Sequence, residues 1–134
     1  MDDPEFAEAL RTVLHDLQAQ SAVQPQIRTD ATHGTMLFAS DGSGQGLIWL
    51  PAPTAAPERL AHLADQVQEW AVEALWAEGA PAVWPHCPEH PNAHPLTATV
   101  VAETAVWTCP KSGATVARIG ELKKRQPPAS PSAR

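Results

Sequence analysis

The sequence predicts an α+β fold: an N-terminal helix, a β-hairpin, a long helix, and then a small lobe rich in cysteine and histidine that carries a short β-meander. Three observations carry this prediction. Two segments repeat apolar residues at spacings of three and four, the period of a helix with one buried face. Two short apolar runs flank a glycine-rich stretch, the pattern of paired strands. Both cysteines and three of the six histidines lie in two short segments near one another, too concentrated for packing alone to explain.

From Asp3 to about Gln20, residues Phe6, Leu10, Val13, Leu14 and Leu17 share one helical face. Asp3 before Pro4 reads as an N-cap with proline at the first helical position. His15, beside Leu14, reads as a partly exposed helical histidine in preference to a catalytic base. Residues 1–6, Met-Asp-Asp-Pro-Glu-Phe, contain pairs of the kind that restriction sites encode and are given no functional weight. Ile27 to Ser40 and Gly46 to Leu50 are expected to form two antiparallel strands joined by Asp41-Gly42-Ser43-Gly44-Gln45. That stretch is not read as a phosphate loop, because no Gly-Lys-Ser/Thr follows it and Leu47–Leu50 is strand-like.

Pro51 to Pro57 reads as a linker. Glu58 to Glu78 is the strongest helix, with Leu60, Leu63, Ala64, Val67, Trp70, Ala71, Ala74 and Leu75 in one stripe and Gly79 and Pro81 ending it. This helix is expected to cover the hairpin. Val72 and Trp76 fall partly off the stripe, and the C-terminal lobe of the same chain is expected to cover them; a homodimer through the Val72/Trp76 surface is the alternative. Thr97–Glu103, Ala105–Cys109 and Thr115–Ile119 read as a three-stranded meander.

A length of 134 residues suits one core. No apolar run approaches the roughly 20 residues of a membrane-spanning helix, and the acidic start is unlike a targeting segment, so a cytoplasmic location is expected. Two cysteines in such a chain suit metal ligation or inert burial better than a disulfide framework. The formal charge of −6 argues against nucleic acid as the main partner.

The stretch Trp84-Pro85-His86-Cys87-Pro88-Glu89-His90-Pro91-Asn92-Ala93-His94-Pro95-Leu96, followed by Trp107-Thr108-Cys109-Pro110-Lys111-Ser112-Gly113, carries the chemistry. Zinc prefers thiolate sulfur and imidazole nitrogen in a tetrahedron, and four protein ligands close its shell. Cys87 and His90 are spaced for one tight turn to aim both at an ion. Cys109 precedes a second turn that can direct backbone N–H groups at its sulfur. Ser112 stands where a symmetric ribbon would have its fourth ligand, so the fourth is sought elsewhere: His94, with His86 as the alternative because adjacent residues of an extended chain point apart. Prolines 85, 88, 91 and 95 restrict the loop and lower the entropy lost on ligation. Residues 1–120 are thus read as one α+β domain with a zinc lobe at approximately 82–120, and 121–134 as a disordered tail.

Trp84, Pro85, the Cys-Pro-x-His-Pro core, His94-Pro95-Leu96, Trp107-x-Cys109-Pro110 and the closing Gly120-Glu121-Leu122 resemble a family of small uncharacterised actinobacterial proteins. The likeness extends back through Ala64–Trp70. It implies a zinc-binding motif and no reaction.

Four functional readings follow from these residues. The leading one is a protein–protein interaction module with a structural Zn2+ held by Cys87, His90, His94 and Cys109, partnered by another protein and without turnover. The alternatives are a zinc-dependent hydrolase with Glu89 as base, a weak nucleic-acid-binding accessory protein using Lys111, Arg118 and the Lys123-Lys124-Arg125 run, and a switch released when Cys87 and Cys109 oxidise. No His-Glu-x-x-His and no deaminase pairing supports the hydrolase.

Overall fold

The protein is described by a computed structural model covering residues 3–21, 23–51 and 53–123. The tail from Lys124 onward and Met1–Asp2 lie outside the described residues. The fold is α+β: helix α1 (Pro4–Gln20), strands β1 (Gln26–Asp30), β2 (Gly34–Phe38) and β3 (Gly44–Gly46), helix α2 (Ala56–Ala77), then β4 (His86–Cys87), β5 (His90–Pro95), β6 (Thr97–Val101), β7 (Thr104–Thr108) and β8 (Thr115–Arg118). The strands form two antiparallel three-stranded meanders, β1-β2-β3 and β6-β7-β8, with the β4-β5 hairpin as a separate pair. No helix among the described residues is long and apolar enough to cross a membrane.

α1 starts where Asp3 Oδ1 accepts from the N–H groups of Glu5 (2.9 Å) and Phe6 (3.3 Å), satisfying donors that the first turn leaves free. α2 begins two residues before the expected Glu58 and has no side-chain cap; Pro57 stands in its first turn. It ends in a Schellman arrangement: Ala80 N–H reaches Leu75 O (3.0 Å), Gly79 N–H reaches Trp76 O (3.0 Å), and Gly79 takes a φ of 73° that a side chain would resist.

Two expectations for the N-terminal sheet need correction. Ile27–Ser40 is not one strand but two, because Asp30 Oδ1 accepts from Thr32 N–H (2.8 Å) and His33 N–H (2.6 Å) and folds the chain back before Gly34. Gly46–Leu50 does not form the next strand. β3 covers only Gly44–Gly46, and beyond it Gln66 of α2 takes the place of a neighbouring strand, donating to Ile48 O (2.8 Å) and accepting from Ile48 N–H (2.7 Å). The segment is then fixed at the helix starts by Trp49, which lies 5.5 Å from Phe6 and under the Arg59 guanidinium at 5.6 Å, while Arg59 also pairs with Glu5 at 2.8 Å.

The long helix does not chiefly cover the hairpin. α2 packs on β6 and β7 on one side and on α1 on another. Its buried stripe of Leu63, Ala64, Val67, Trp70, Ala71, Ala74 and Leu75 matches the expected one apart from Leu60, which is only partly buried. The C-terminal lobe does not cover Trp76, which stays 77% exposed.

A buried carboxylate ties the layers together. Asp16 of α1 is fully buried and accepts from Trp107 Nε1 (2.8 Å), Gly120 N–H (2.6 Å) and Leu122 N–H (3.0 Å), with His15 Nδ1 at 3.1 Å. Its backbone carbonyl accepts from Trp84 Nε1 (3.3 Å), and the two indoles meet edge to face at 5.4 Å. Gly120 has a φ of 101° and packs against Thr12, so a Cβ there would run into that side chain. Trp84, Trp107, Gly120 and Leu122, none of them a candidate ligand, thus share a structural role: they are anchored on Asp16.

Candidate metal centre

The β4-β5 hairpin turns through Pro88 and Glu89 and pairs Cys87 directly with His90. Cross-strand partners project from the same face of a two-stranded ribbon, so the two-residue spacing brings sulfur and imidazole together. His94 lies four residues after His90 on β5, and a strand returns to the same face every second residue. Cys109 follows β7, at the start of a turn closed by Gly113 N–H to Cys109 O (2.8 Å) and Cys109 N–H to Ala114 O (2.9 Å).

These four side chains converge. Each offers one donor atom, and all four atoms lie within 4.8 Å of one another. His90 Nδ1 stands 3.0 Å from His94 Nε2, 3.6 Å from Cys87 Sγ and 3.9 Å from Cys109 Sγ; His94 Nε2 is 4.0 Å from Cys109 Sγ. A tetrahedral ion with ordinary zinc–nitrogen and zinc–sulfur bonds has edges of about 3.3 Å between nitrogens and about 3.6 Å between nitrogen and sulfur. The donors therefore lie close enough to hold a metal ion. His86, adjacent to Cys87 in β4, is not part of the cluster.

The surroundings prepare the donors. His94 Nδ1 lies 3.1 Å from the Pro95 carbonyl. A carbonyl only accepts, so Nδ1 carries the proton and Nε2 presents its lone pair to the cluster. The Ser112 hydroxyl, followed by the Ser112 and Lys111 backbone N–H groups and Cys87, pulls the Cys109 thiol down to about 6 against the opposing pull of burial. Ser112 N–H stands 3.4 Å from the sulfur. Its hydroxyl also lies 3.3 Å from Glu89 Oε1 and links the two turns. Both cysteines are free and buried, the histidines half-buried, and Trp84, Pro85, Leu96 and Trp107 are fully buried nearby.

α2 and α1 hold the hairpin in place. Gln68 Nε2 donates to Leu96 O (2.6 Å) and Trp84 O (3.1 Å), while Gln20 Oε1 accepts from His86 N–H (3.1 Å). Sequence reasoning passed over Asp16, Gln20 and Gln68. The signal for Asp16 was available, since it stands three residues after Val13 and beside Leu17 on the apolar face, where a charged residue needs a partner. Gln20 and Gln68 had none, because an exposed and a bridging glutamine read alike in a helical pattern.

No family model, curated protein or solved structure matches this chain.

Proposed function

We propose that the chain is a protein-interaction module whose C-terminal lobe is held together by one zinc ion, ligated by Cys87 Sγ, His90 Nδ1, His94 Nε2 and Cys109 Sγ. The convergence of those four donors carries this reading. Two thiolates with two imidazoles suit zinc better than magnesium or calcium, which take oxygen. Four protein ligands complete a tetrahedron and leave no position for a substrate oxygen, so the ion's part is to fix a surface. The free thiols fit a reducing compartment such as the cytoplasm.

The hydrolase alternative asks Glu89 to act as a base beside the ion. Glu89 is exposed, accepts from Ser112, and is not one of the converging groups. Its geometry suits a link between turns better than proton transfer.

X-ray absorption on the purified chain tests the reading. The expected shell has two sulfurs and two nitrogens at about one zinc per chain. A shell containing an exchangeable oxygen, together with loss of a measured turnover in Glu89→Gln, would establish the hydrolase instead.

A further inference from the structure

α2 turns one exposed ridge to solvent: Asp65, Glu69, Glu73 and Trp76, at spacings of four, four and three. Among the described residues none of these acids has an ion-pair partner. The negative end of the helix dipole favours a cation in the last turn. α2 has none there, and Glu78 at the C-cap adds charge of the same sign. This arrangement does not serve the helix and leaves an uncompensated negative field around its C-terminal end.

A groove of about 410 Å³ opens at that end, between α2 and the β2-β3 turn. Buried Trp70 and Ala74 form its floor, Val72, Trp76 and Gly44 line its sides, and Asp41 and Glu73 stand at its rim. Among the described residues, none that lines it is basic. The Ser43 hydroxyl and N–H hold the Asp41 carboxyl below its ordinary range, so the rim is charged.

We propose that this groove docks a basic protein segment, with an apolar side chain seated over Trp70 and Ala74 and a lysine or arginine on the Trp76 indole beside Glu73. The proposal rests on the interaction-module reading and names its surface and partner class. Charge complementarity selects the occupant. A second copy in a twofold arrangement would bring the acidic patch of Asp41, Glu73 and Glu78 against the same patch of the other copy, and like charges across an interface oppose association. A nucleic acid would meet the same repulsion. A cationic segment gains from the acids, the helix dipole and the indole face together, and an exposed tryptophan beside a small apolar pocket is the kind of anchor on which binding energy concentrates.

The test uses the full, metal-loaded chain and two synthetic peptides of equal length with leucine anchors, one flanked by arginines and one by glutamates. Calorimetry should detect the arginine peptide alone, with affinity falling as salt rises. Trp76→Ala should weaken it roughly tenfold. Glu73→Lys should weaken it too and admit the glutamate peptide. Trp76 is exposed, so its loss leaves the fold intact, and circular dichroism on each variant verifies this. Equal affinity for both peptides, or binding indifferent to Trp76→Ala, would overturn the proposal. A dimer seen by sedimentation of the chain alone and dissolved by Trp76→Ala would make a second copy the occupant. Zinc measured on the same samples separates this proposal from its premise: a loaded chain that ignores the arginine peptide removes the groove, whereas a chain without zinc removes the reading beneath it.

Discussion

β1-β2-β3 and β6-β7-β8 are both three-stranded antiparallel meanders, yet β1 exposes all five of its residues whereas β7 buries four of its five. In the C-terminal sheet β6 and β7 pack on α2, and Trp107 of β7 donates to buried Asp16. The N-terminal sheet reaches the core chiefly through fully buried Leu37, with Ala39, Leu47 and Trp49 packed against it. Between that sheet and α1 runs a groove of about 960 Å³ whose apolar lining includes Phe6, Leu14 and Ile27. Equal topology therefore does not mean equal attachment. A strand is held by what its buried face meets, and β1 has no such face.

The largest expected difference between the two regions comes from the proposed metal ligands. Cys87→Ser or Cys109→Ser should release the ion and destabilise the C-terminal lobe by several kcal/mol, since a structural zinc contributes folding energy outright. Because α2 packs on β6 and β7, helical signal in circular dichroism should fall with the lobe. From sequence, much of the helix is expected to survive metal loss because both helices bury their stripes against the hairpin; retention of most of the helicity on chelation would restore that picture.

Asp16→Ala should cost about 3–5 kcal/mol in urea denaturation, because it strands the buried N–H donors of Trp107 and Leu122 and the half-buried one of Gly120. A cost below about 1 kcal/mol would mean that those donors find other acceptors. In the N-terminal sheet, Leu37→Ala should cost about 2–4 kcal/mol and Ile27→Ala under about 1 kcal/mol. Equal losses at the two positions would show that β1 is better packed than its exposure indicates.

The cluster should also respond to acid. The Cys109 thiol is lowered from 9.0 to about 6, so folding favours the thiolate. That contribution is fully present above the unfolded value and disappears as pH falls through about 6. Protons then compete with the metal. Retention after dialysis should be flat in this ligand above about 6 and should weaken by up to about tenfold per pH unit below it. Ser112→Ala should move the onset upward.

A small gain is expected at the β6-β7 turn. Ala102 and Glu103 take φ angles of 49° and 62° there, a conformation that asparagine and glycine adopt with less strain. Ala102→Asn with Glu103→Gly should raise stability by about 1 kcal/mol, read from the thermal midpoint. No gain would place the limiting weakness of the sheet elsewhere.

The sequence by itself determined the helices, the meander after the cluster and the proximity of cysteine and histidine. Each follows from local rules: helical periodicity, turn residues, and the short chain between Cys87 and His94. Local rules did less well where a side chain from afar intervened. Gln66 stops β3 from extending by binding Ile48, and Asp30 divides what looked like one long strand. Only the tertiary structure decided that α2 packs on the C-terminal sheet, that Trp76 remains in solvent and that Asp16 gathers Trp107, Gly120 and Leu122. Those outcomes depend on which apolar faces meet and which buried donors find an acceptor. Both are contests among groups far apart along the chain, 91 residues in the case of Asp16 and Trp107, and no periodicity within one segment records them.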